Sequence, residues 1–207
     1  IVEDGLPLGT TANGINPAFT PDGRRVLFMA DAPCPWGCIY PKDIQQVDLD
    51  QPAALPRTVF ASSRLGLAAF DLSADGGQVA ILNDPSGYND FSLKIGDLTT
   101  GQLRDIPTGT LSLQQSRPRF SPDGREVLVQ VLCVSSSGSC GWVVPLDGSP
   151  ARRVSTEPAL AWSPDGSRLL IAASSDSRLF SVRASDGLDP RDLATAPGRV
   201  LSADWRR

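Results

Sequence analysis

One short segment that recurs along the chain constrains its fold more than any other feature. The segment has the form aromatic, Ser or Thr, Pro, Asp, Gly, and it occurs in full beginning at Phe19, Phe120 and Trp162. A degraded copy begins at Phe70, and a partial copy ends with Trp205. These five aromatic residues are 51, 50, 42 and 43 residues apart. That spacing is close to the roughly 40–50 residues of repeats that each form a small β-sheet.

The residue types in this segment predict a tight turn. Proline fixes its own φ angle, aspartate accepts a hydrogen bond from the backbone two residues further on, and glycine accepts a positive φ angle. Together they favour a sharp reversal between two antiparallel strands. We expect the aromatic residue before the turn to pack between neighbouring repeats.

Short apolar segments follow each turn at regular positions. Turn-forming residues bound them, as is usual for strands, and no stretch keeps the apolar spacing of a helix for three turns. The second strands are predicted at 25–29, 78–82, 126–131 and 168–172, and the third strands at 44–49, 91–98, 142–146 and 179–182. In three repeats a Gly-containing turn at 100–101, 147–148 or 186–187 leads to a short outer strand. Four antiparallel strands per repeat form one blade of a β-propeller, so the sequence predicts an all-β fold.

The two ends of the chain align with different parts of one repeat. Residues 1–8 and 16–19 match 143–148 and 160–162, so the N-terminal residues are expected to supply an outer strand and residues 199–205 an inner strand. We therefore predict a single propeller domain over 1–207 with about five blades, the last a composite blade closed by both termini. Such closure removes the exposed sheet edges of an open ring. The second strand of this blade has no counterpart in the sequence. Three explanations stay open: residues before Ile1, a reduced blade, or a piece of a larger ring.

The repeat resembles that of the TolB-type β-propeller family, whose core is Trp/Phe-Ser-Pro-Asp-Gly followed by an apolar strand. The resemblance covers residues 17–205. The family includes the periplasmic TolB protein, which binds partner proteins of the cell envelope. It also includes sensor or ligand-binding modules of bacterial surface proteins and kinases, and the propeller domain of prolyl oligopeptidases. The resemblance implies the fold, but the same fold carries several functions.

Charge and composition exclude several classes of function. The net charge of −4 argues against nucleic acid, whose recognition requires clustered basic residues. No apolar run is long enough to span a membrane. We therefore expect no nucleic-acid partner and no membrane insertion of this segment.

The absence of histidine from the sequence bears directly on catalysis. It excludes His-dependent triads and most zinc and iron sites. A pair of carboxylates in the central channel of a propeller could still catalyse a hydrolysis or an elimination. The inner strands, however, are predicted to contribute mostly Ala and Arg and one acid, Asp204. We predict a protein that is not an enzyme and that needs no cofactor or metal.

The four cysteines form two local pairs, Cys34 with Cys38 and Cys133 with Cys140. Each pair brackets the predicted connection between the second and third strands of its blade, where two strand ends approach closely enough for a disulfide. Their spacings are irregular for a zinc site, and neither pair has the Cys-x-x-Cys form of a redox centre. We therefore favour two disulfides and an extracytoplasmic location, either periplasmic, secreted or at the cell surface.

The connections between second and third strands share one face of the predicted propeller, where we expect binding. Trp36, Tyr40 and Tyr88 lie in or beside these connections, and aromatic side chains of this kind anchor interfaces. For Trp36, packing on its own disulfide is an equal alternative. Arg117 and Arg119 flank a proline on an inner strand, where one could hold an anion in the channel. Pairing with a blade carboxylate, or solvation, is the commoner arrangement for such arginines.

Three functions follow from these observations. The first is an extracytoplasmic module that recognises a protein partner by binding or sensing. The second is a propeller that binds a small ligand or glycan, which an aromatic-lined channel mouth would favour. The third is a carboxylate-dependent hydrolase or lyase, which would require two acids facing each other across the channel.

Overall fold

The computed structural model describes residues 15–31, 42–51, 54–61, 67–84, 89–114, 116–133, 138–173, 177–195, 200 and 205. Within them, sixteen β-strands form four antiparallel sheets of four strands, and the strands of each sheet follow one another in chain order. The first strands of consecutive sheets contact one another. These first strands are therefore the inner strands of the propeller, and each sheet is one blade.

The strand bounds are as follows. The first blade contains β1 (Ile15–Phe19), β2 (Arg25–Asp31), β3 (Lys42–Asp48) and β4 (Arg57–Phe60). The second blade contains β5 (Leu67–Leu72), β6 (Gln78–Asn83), β7 (Ser92–Asp97) and β8 (Leu103–Ile106). The third blade contains β9 (Arg119–Phe120), β10 (Glu126–Leu132), β11 (Ser139–Pro145) and β12 (Arg152–Arg153). The fourth blade contains β13 (Ala159–Trp162), β14 (Arg168–Ala172), β15 (Arg178–Arg183) and β16 (Arg191–Thr195).

The predicted all-β propeller is confirmed, with four complete blades in the expected strand order. The third strand of the third blade begins at Ser139, three residues earlier than expected. The composite closing blade was predicted from residues 1–8 and 199–205. That prediction lies outside the described residues, except for single positions at 200 and 205.

All four turns between first and second strands share one hydrogen-bonding pattern. In the third blade, the Ser121 hydroxyl donates to Asp123 Oδ1 at 2.7 Å and accepts from the backbone N–H of Glu126 at 2.9 Å. The same carboxylate oxygen accepts from the backbone N–H of Arg125 at 3.1 Å. Gly124 completes the turn with a φ of 71°, a conformation that favours glycine. We refer to the two side chains as the hydroxyl–carboxylate pair. The equivalent pairs are Thr20 with Asp22, Ser73 with Asp75, and Ser163 with Asp165.

The hydroxyl–carboxylate pairs change the acidity of their aspartates. The Ser121 hydroxyl, followed by the Arg125 backbone N–H, lowers the pKa of Asp123 below its ordinary value of 3.8. In the fourth blade the Ser163 hydroxyl is the largest cause that lowers the pKa of Asp165 to about 2. Hydrogen bonds to the charged form of a carboxyl favour that form. The turn carboxylates are therefore ionised at neutral pH and held by the turn.

The degraded second repeat keeps this pattern without its proline. Ala74 occupies the proline position, yet the Ser73 hydroxyl still donates to Asp75 at 2.6 Å. The same hydroxyl accepts from the backbone N–H of Gln78 at 2.9 Å. The pair and the glycine thus form this turn even where the proline is absent.

The strand register corrects the alignment of that repeat. Leu72 is paired with Val79, just as Phe120 is paired with Val127 in the third blade. The prediction that Phe70 is the aromatic anchor of the second repeat is therefore wrong by two residues, and Leu72 takes that position. Phe70 is fully buried in the cluster between the first two blades.

Three of the four clusters of buried hydrophobic residues lie between consecutive blades. The fourth, Val26, Phe28 and Ala30, belongs to the first blade alone. Alternate residues of a second strand pack against the two neighbouring blades. Val127 and Val129 pack toward the second blade, and Leu128 packs toward the fourth. This two-sided burial explains why the second strands read as continuous apolar runs. Close approach is visible at Gly96, where an added Cβ would lie 2.5 Å from the Cζ atom of Phe60 in the first blade.

Each inner strand contains a bulge. In the first, second and fourth blades the register shifts by one extra residue on the inner strand. In the third blade Leu113 pairs with Val131 and Arg119 with Leu128. Six residue steps therefore oppose three, so this inner strand carries three extra residues. Bulges redirect side chains and terminate pairing, and this large bulge includes Arg117.

The antiparallel strand order gives the propeller two faces. The turns from first to second strand and from third to fourth strand lie on one face, the turn face. The connections from second to third strand, and from each blade to the next, lie on the other, the loop face. The repeat turns are therefore remote from the cysteine pair of the third blade.

Candidate functional site

Several of the predicted site residues lie outside the described part of the chain, so their roles stay predictions. They are Cys34, Trp36, Cys38, Tyr40 and Tyr88. Two predicted features can be located. One is the cysteine pair of the third blade, on the loop face, and the other is the pair of inner-strand arginines.

Cys133 and Cys140 form a disulfide, as predicted, with their Cα atoms 5.6 Å apart. It closes the loop-face end of the hairpin of β10 and β11, whose last pair joins Leu132 to Ser139. The backbone N–H of Cys133 also donates to the carbonyl of Gly138 at 3.0 Å. Both cysteines are buried, so this end of the hairpin is tied by a covalent bond and a backbone hydrogen bond.

A groove of about 480 Å³ lies on the loop face beside this disulfide. Its walls come from β10, from β11 and from residues 110–112, which lead from the second blade into the third. The groove is therefore formed by the third blade together with the crossover that leads into it. Leu132 on its edge is 49% exposed, whereas Leu111 and Trp142 are half-buried. An exposed leucine beside an indole and a disulfide makes this wall largely apolar.

Arg153 gives the groove one positive charge. It lies on β12 opposite Trp142 and lines the groove. Among the described residues its guanidinium makes no ion pair. By contrast, the two terminal guanidinium nitrogens of the adjacent Arg152 donate to Glu126, at 2.5 and 2.9 Å. The groove thus offers an apolar wall and a cation.

The two inner-strand arginines converge on one carboxylate of the neighbouring blade. Arg117 donates to the carbonyl of Phe70 and to Asp71 Oδ1, each at 3.2 Å. The Nη1 atom of Arg119 lies 3.8 Å from the same Asp71 oxygen. The second oxygen of Asp71 accepts from the backbone N–H of Phe120 at 3.0 Å. The large bulge places Arg117 where it reaches back to the second blade.

Asp71 was not recognised from the sequence as an inner-strand acid, although it lies within β5. The sequence prediction assigned the alanines just before Phe70 to the inner strand and placed Phe70 itself at the start of the turn. Asp71, the next residue, was therefore assigned to the turn. Burial raises the pKa of Asp71, opposed by Arg117, by the Phe120 N–H and by Arg119. Both arginines therefore pair with a blade carboxylate, the arrangement that is commoner for such residues. Whether one of them also holds an anion stays a prediction.

Other chemical features of the described residues are few. No three His, Cys, Asp or Glu side chains in them are close enough together to hold a metal ion. No helix in the same part of the chain is long and apolar enough to cross a membrane.

Comparison with solved structures shows propellers. TolB from Acinetobacter baumannii superimposes with a TM-score of 0.66 at 17% identity, covering 89% of this chain and 44% of TolB. A puromycin-hydrolysing peptidase from Mycobacterium tuberculosis gives a TM-score of 0.68 at 19% identity, covering 94% of this chain and 33% of the peptidase. An oligogalacturonate lyase from Vibrio parahaemolyticus gives 0.65 at 16% identity, covering 93% and 55%. No protein-family model and no curated protein sequence matches the chain.

These similarities show a TolB-like propeller fold. The chain spans less than two thirds of each of these proteins. Because they include both a TolB protein and two enzymes, the fold alone does not choose between binding and catalysis.

Proposed function

We propose that this chain is an extracytoplasmic, non-catalytic binding propeller that recognises a protein partner through the groove beside the Cys133–Cys140 disulfide. The observation that carries the proposal is the half-exposed Leu132 on an apolar groove whose wall is covalently tied. The resemblance of the repeats to those of TolB supports a protein as the partner.

The rigidity of the groove favours recognition. Binding costs conformational entropy whenever a loop or side chain must be ordered, and groups that are already fixed avoid much of that cost. Here β10 and β11 pair along seven residues of each strand, and the disulfide closes their end. Leu132 is therefore presented from a preformed edge.

The composition of the groove indicates what a partner offers to it. An apolar side chain of the partner can pack against Trp142 and Leu111, and Arg153 can bind a carboxylate beside it. An apolar residue flanked by Asp or Glu would match both. Indole and guanidinium groups are the side chains that most often dominate binding energy at protein interfaces.

The disulfide supports the proposed location. Disulfides form and persist in oxidising compartments and are rare in the reducing cytosol. Mass spectrometry of the protein isolated from its native cells with thiols blocked at lysis tests this part. We expect the peptides that contain Cys133 and Cys140 to be cross-linked, and recovery of both as blocked thiols would contradict an extracytoplasmic location.

Two matched leucines allow the groove to be tested. Leu132 on the groove and Leu193 on the outer strand of the fourth blade are 49% and 52% exposed. The L132E and L193E variants therefore add the same charge at equal exposure. Immobilised wild type, L132E and L193E are compared for proteins retained from an envelope extract of the native organism, quantified by mass spectrometry.

We expect wild type and L193E to retain the same protein and L132E to lose it about tenfold or more, because a glutamate in the apolar wall leaves a charge poorly solvated. R153E, which reverses the charge of the groove, should show a similar loss. Equal retention by L132E and L193E would exclude the groove as the interface. If no protein is retained while a small ligand raises the melting temperature, the chain is a small-ligand or glycan propeller.

A further inference from the structure

The aromatic residue before the first repeat turn differs in exposure from its equivalents. Phe120 and Trp162 hold the same position in the third and fourth blades and are 7% and 8% exposed, whereas Phe19 is 56% exposed. Pro17, two residues earlier, is exposed as well, although the equivalent Pro118 is buried. Single exposed apolar residues are common on protein surfaces, but here the same position is buried twice in the same molecule. Phe19 therefore departs from the packing expected of this position.

The second strand of the preceding blade covers this position in the third and fourth blades. Phe120 lies in one buried cluster with Leu82 of β6, and Trp162 lies in one with Leu128 of β10. Two of the established interfaces between blades therefore show what kind of element covers such an aromatic residue.

The strand register shows which way Phe19 faces. Phe19 is paired with Val26, just as Phe120 is paired with Val127. Val127 packs toward the preceding blade, so Phe19 and Val26 face the position that precedes the first blade. Val26 is only 2% exposed. The exposed part of this interface is therefore confined to the inner strand, next to the repeat turn.

The repeat turns differ at the same place. An added Cβ on Gly76 would lie 2.7 Å from Pro21 Cδ, and one on Gly166 would lie 3.5 Å from Pro122 Cδ. The proline of the preceding turn thus lies beside each of these glycines. The third turn lacks such a neighbour because its predecessor carries alanine at the proline position. Among the described residues, nothing lies within 4 Å of a Cβ added to Gly23, so the space beside the first turn is open too.

We propose that the exposed inner edge of the first blade, formed by Phe19 and Gly23, binds a segment of a partner protein that consists of a proline-containing turn followed by a β-strand. The strand would cover Phe19 as β10 covers Trp162, and the proline would lie beside Gly23 as Pro122 lies beside Gly166. Addition of a strand from another chain is a recurrent mode of peptide recognition. This edge is on the turn face, so it is separate from the groove and does not depend on the function proposed for the groove.

A second copy of the chain is poorly suited to supply this strand. The second strands of the described blades are β2, β6, β10 and β14, and most of their residues are buried in their own blades. Donation of one of them would require a folded blade to open. An extended segment of another protein can be added without unfolding a blade.

The chain's own repeat supplies a probe for this site. A fluorescently labelled peptide with the sequence of residues 163–173 contains the turn and the second strand of the fourth blade. Leu170 is equivalent by register to Leu128, which packs against Trp162, so in the bound peptide it would face Phe19. The same peptide with the substitution L170E is the matched control. Fluorescence anisotropy during titration with the protein measures the binding of both peptides.

Protein variants locate the binding. F19E should weaken binding of the unmodified peptide about tenfold or more, because the burial of the phenyl ring is lost and a charge enters an apolar contact. L193E is the control, since Leu193 is 52% exposed and Phe19 56%, and it should bind as wild type does. The L170E peptide should bind wild type about tenfold or more weakly. F19W keeps an aromatic ring, so it should bind the unmodified peptide, and the emission of its added indole should shift to shorter wavelength on saturation. It tests the site even if F19E fails to fold.

Equal binding by F19E and L193E would overturn the proposal, as would equal binding of the two peptides. Absence of saturable binding would overturn it too. If F19W then already emits as a buried indole, the chain itself occupies the site. A dimer in sedimentation that F19E dissociates would identify a second copy as the occupant and would likewise overturn the proposal.

Discussion

Replacing Ser121 with alanine tests which part of the repeated turn stabilises the fold. Ser121 is 4% exposed. Its hydroxyl donates to Asp123 at 2.7 Å, with a longer contact of 3.2 Å to the Glu126 carbonyl, and accepts from the Glu126 N–H at 2.9 Å. Alanine leaves the Glu126 N–H without its acceptor and removes the hydroxyl donor from Asp123. A neutral bond contributes about 0.5–1.5 kcal/mol and a bond to a charged group about 1.5–3 kcal/mol. Because Asp123 is partly exposed and water replaces some of the loss, we expect S121A to cost about 2 kcal/mol.

The adjacent proline gives the comparison. P122A removes no hydrogen bond, and its cost is the greater freedom of the unfolded chain, about 0.4–1 kcal/mol. The second repeat already has Ala74 at this position and still forms the turn. Thus S121A should be more damaging than P122A, although the proline is the more conspicuous residue of the repeat.

Urea denaturation measures both variants. With an m-value of roughly 2 kcal/mol per molar urea, the midpoint should fall by about 1 M for S121A and by no more than about 0.5 M for P122A. S121T should stay near wild type, since threonine performs this role at Thr20. S185A, at an exposed position, is the serine control. A larger loss in P122A than in S121A would refute the role assigned to the hydroxyl.

The same variant has a pH signature. The pKa of Asp123 is lowered in the folded protein, so the unfolded state binds its proton first as the pH falls below 3.8. The stability that this carboxylate contributes is present above that pH and is lost as the pH falls through the lower folded pKa. S121A removes the main cause of the shift. The difference in free energy of unfolding between S121A and wild type should therefore become smaller as the pH falls below 3.8.

Three further predictions concern other parts of the molecule. The C133S/C140S double variant should lose about 2.4 kcal/mol for its separation of seven residues, which lowers the melting temperature by roughly 5–10 °C in calorimetry; wild type heated with reductant should lose at least as much, since reductant would also break the predicted Cys34–Cys38 disulfide. G96A should lose about 1–3 kcal/mol in urea, because its Cβ would meet the ring of Phe60, and F60L should restore part of the loss in the double variant. D165N should flatten the fall in stability between pH 4 and 2, since the folded pKa of Asp165 is about 2 and its unfolded value is 3.8; an unchanged acid profile would contradict this.

The local chemistry of the repeat was accessible from the sequence, because it depends on residues within one turn. The proline, aspartate and glycine predicted a tight reversal, and the strands that follow have the predicted order. The role of Ser121 and its equivalents was not identified. Serine occurs in turns for several reasons, and only the folded structure shows its hydroxyl accepting a hydrogen bond from the backbone N–H five residues further on.

The candidate sites depended on contacts between repeats, and those were not accessible. Arg117 reaches Asp71 because three extra residues distort one inner strand, and no residue type marks the length of a bulge. A two-residue misalignment at Phe70 was enough to conceal Asp71 as an inner-strand acid. The disulfide was predictable because both of its cysteines lie in one hairpin. The groove was not, since residues 110–112 come from the preceding crossover.

The inner-strand bulges have a consequence for how such a ring can diversify. An extra residue at a bulge leaves the register near the turn unchanged, so the blade keeps its contacts with its neighbours while the axial lining changes. The inner strand of the third blade contains three extra residues, whereas the inner strands of the other three described blades contain one each. Insertions at the bulges would change the residues that line the propeller axis and leave the contacts between blades unchanged. The bulges are therefore suitable positions at which to engineer a new internal surface.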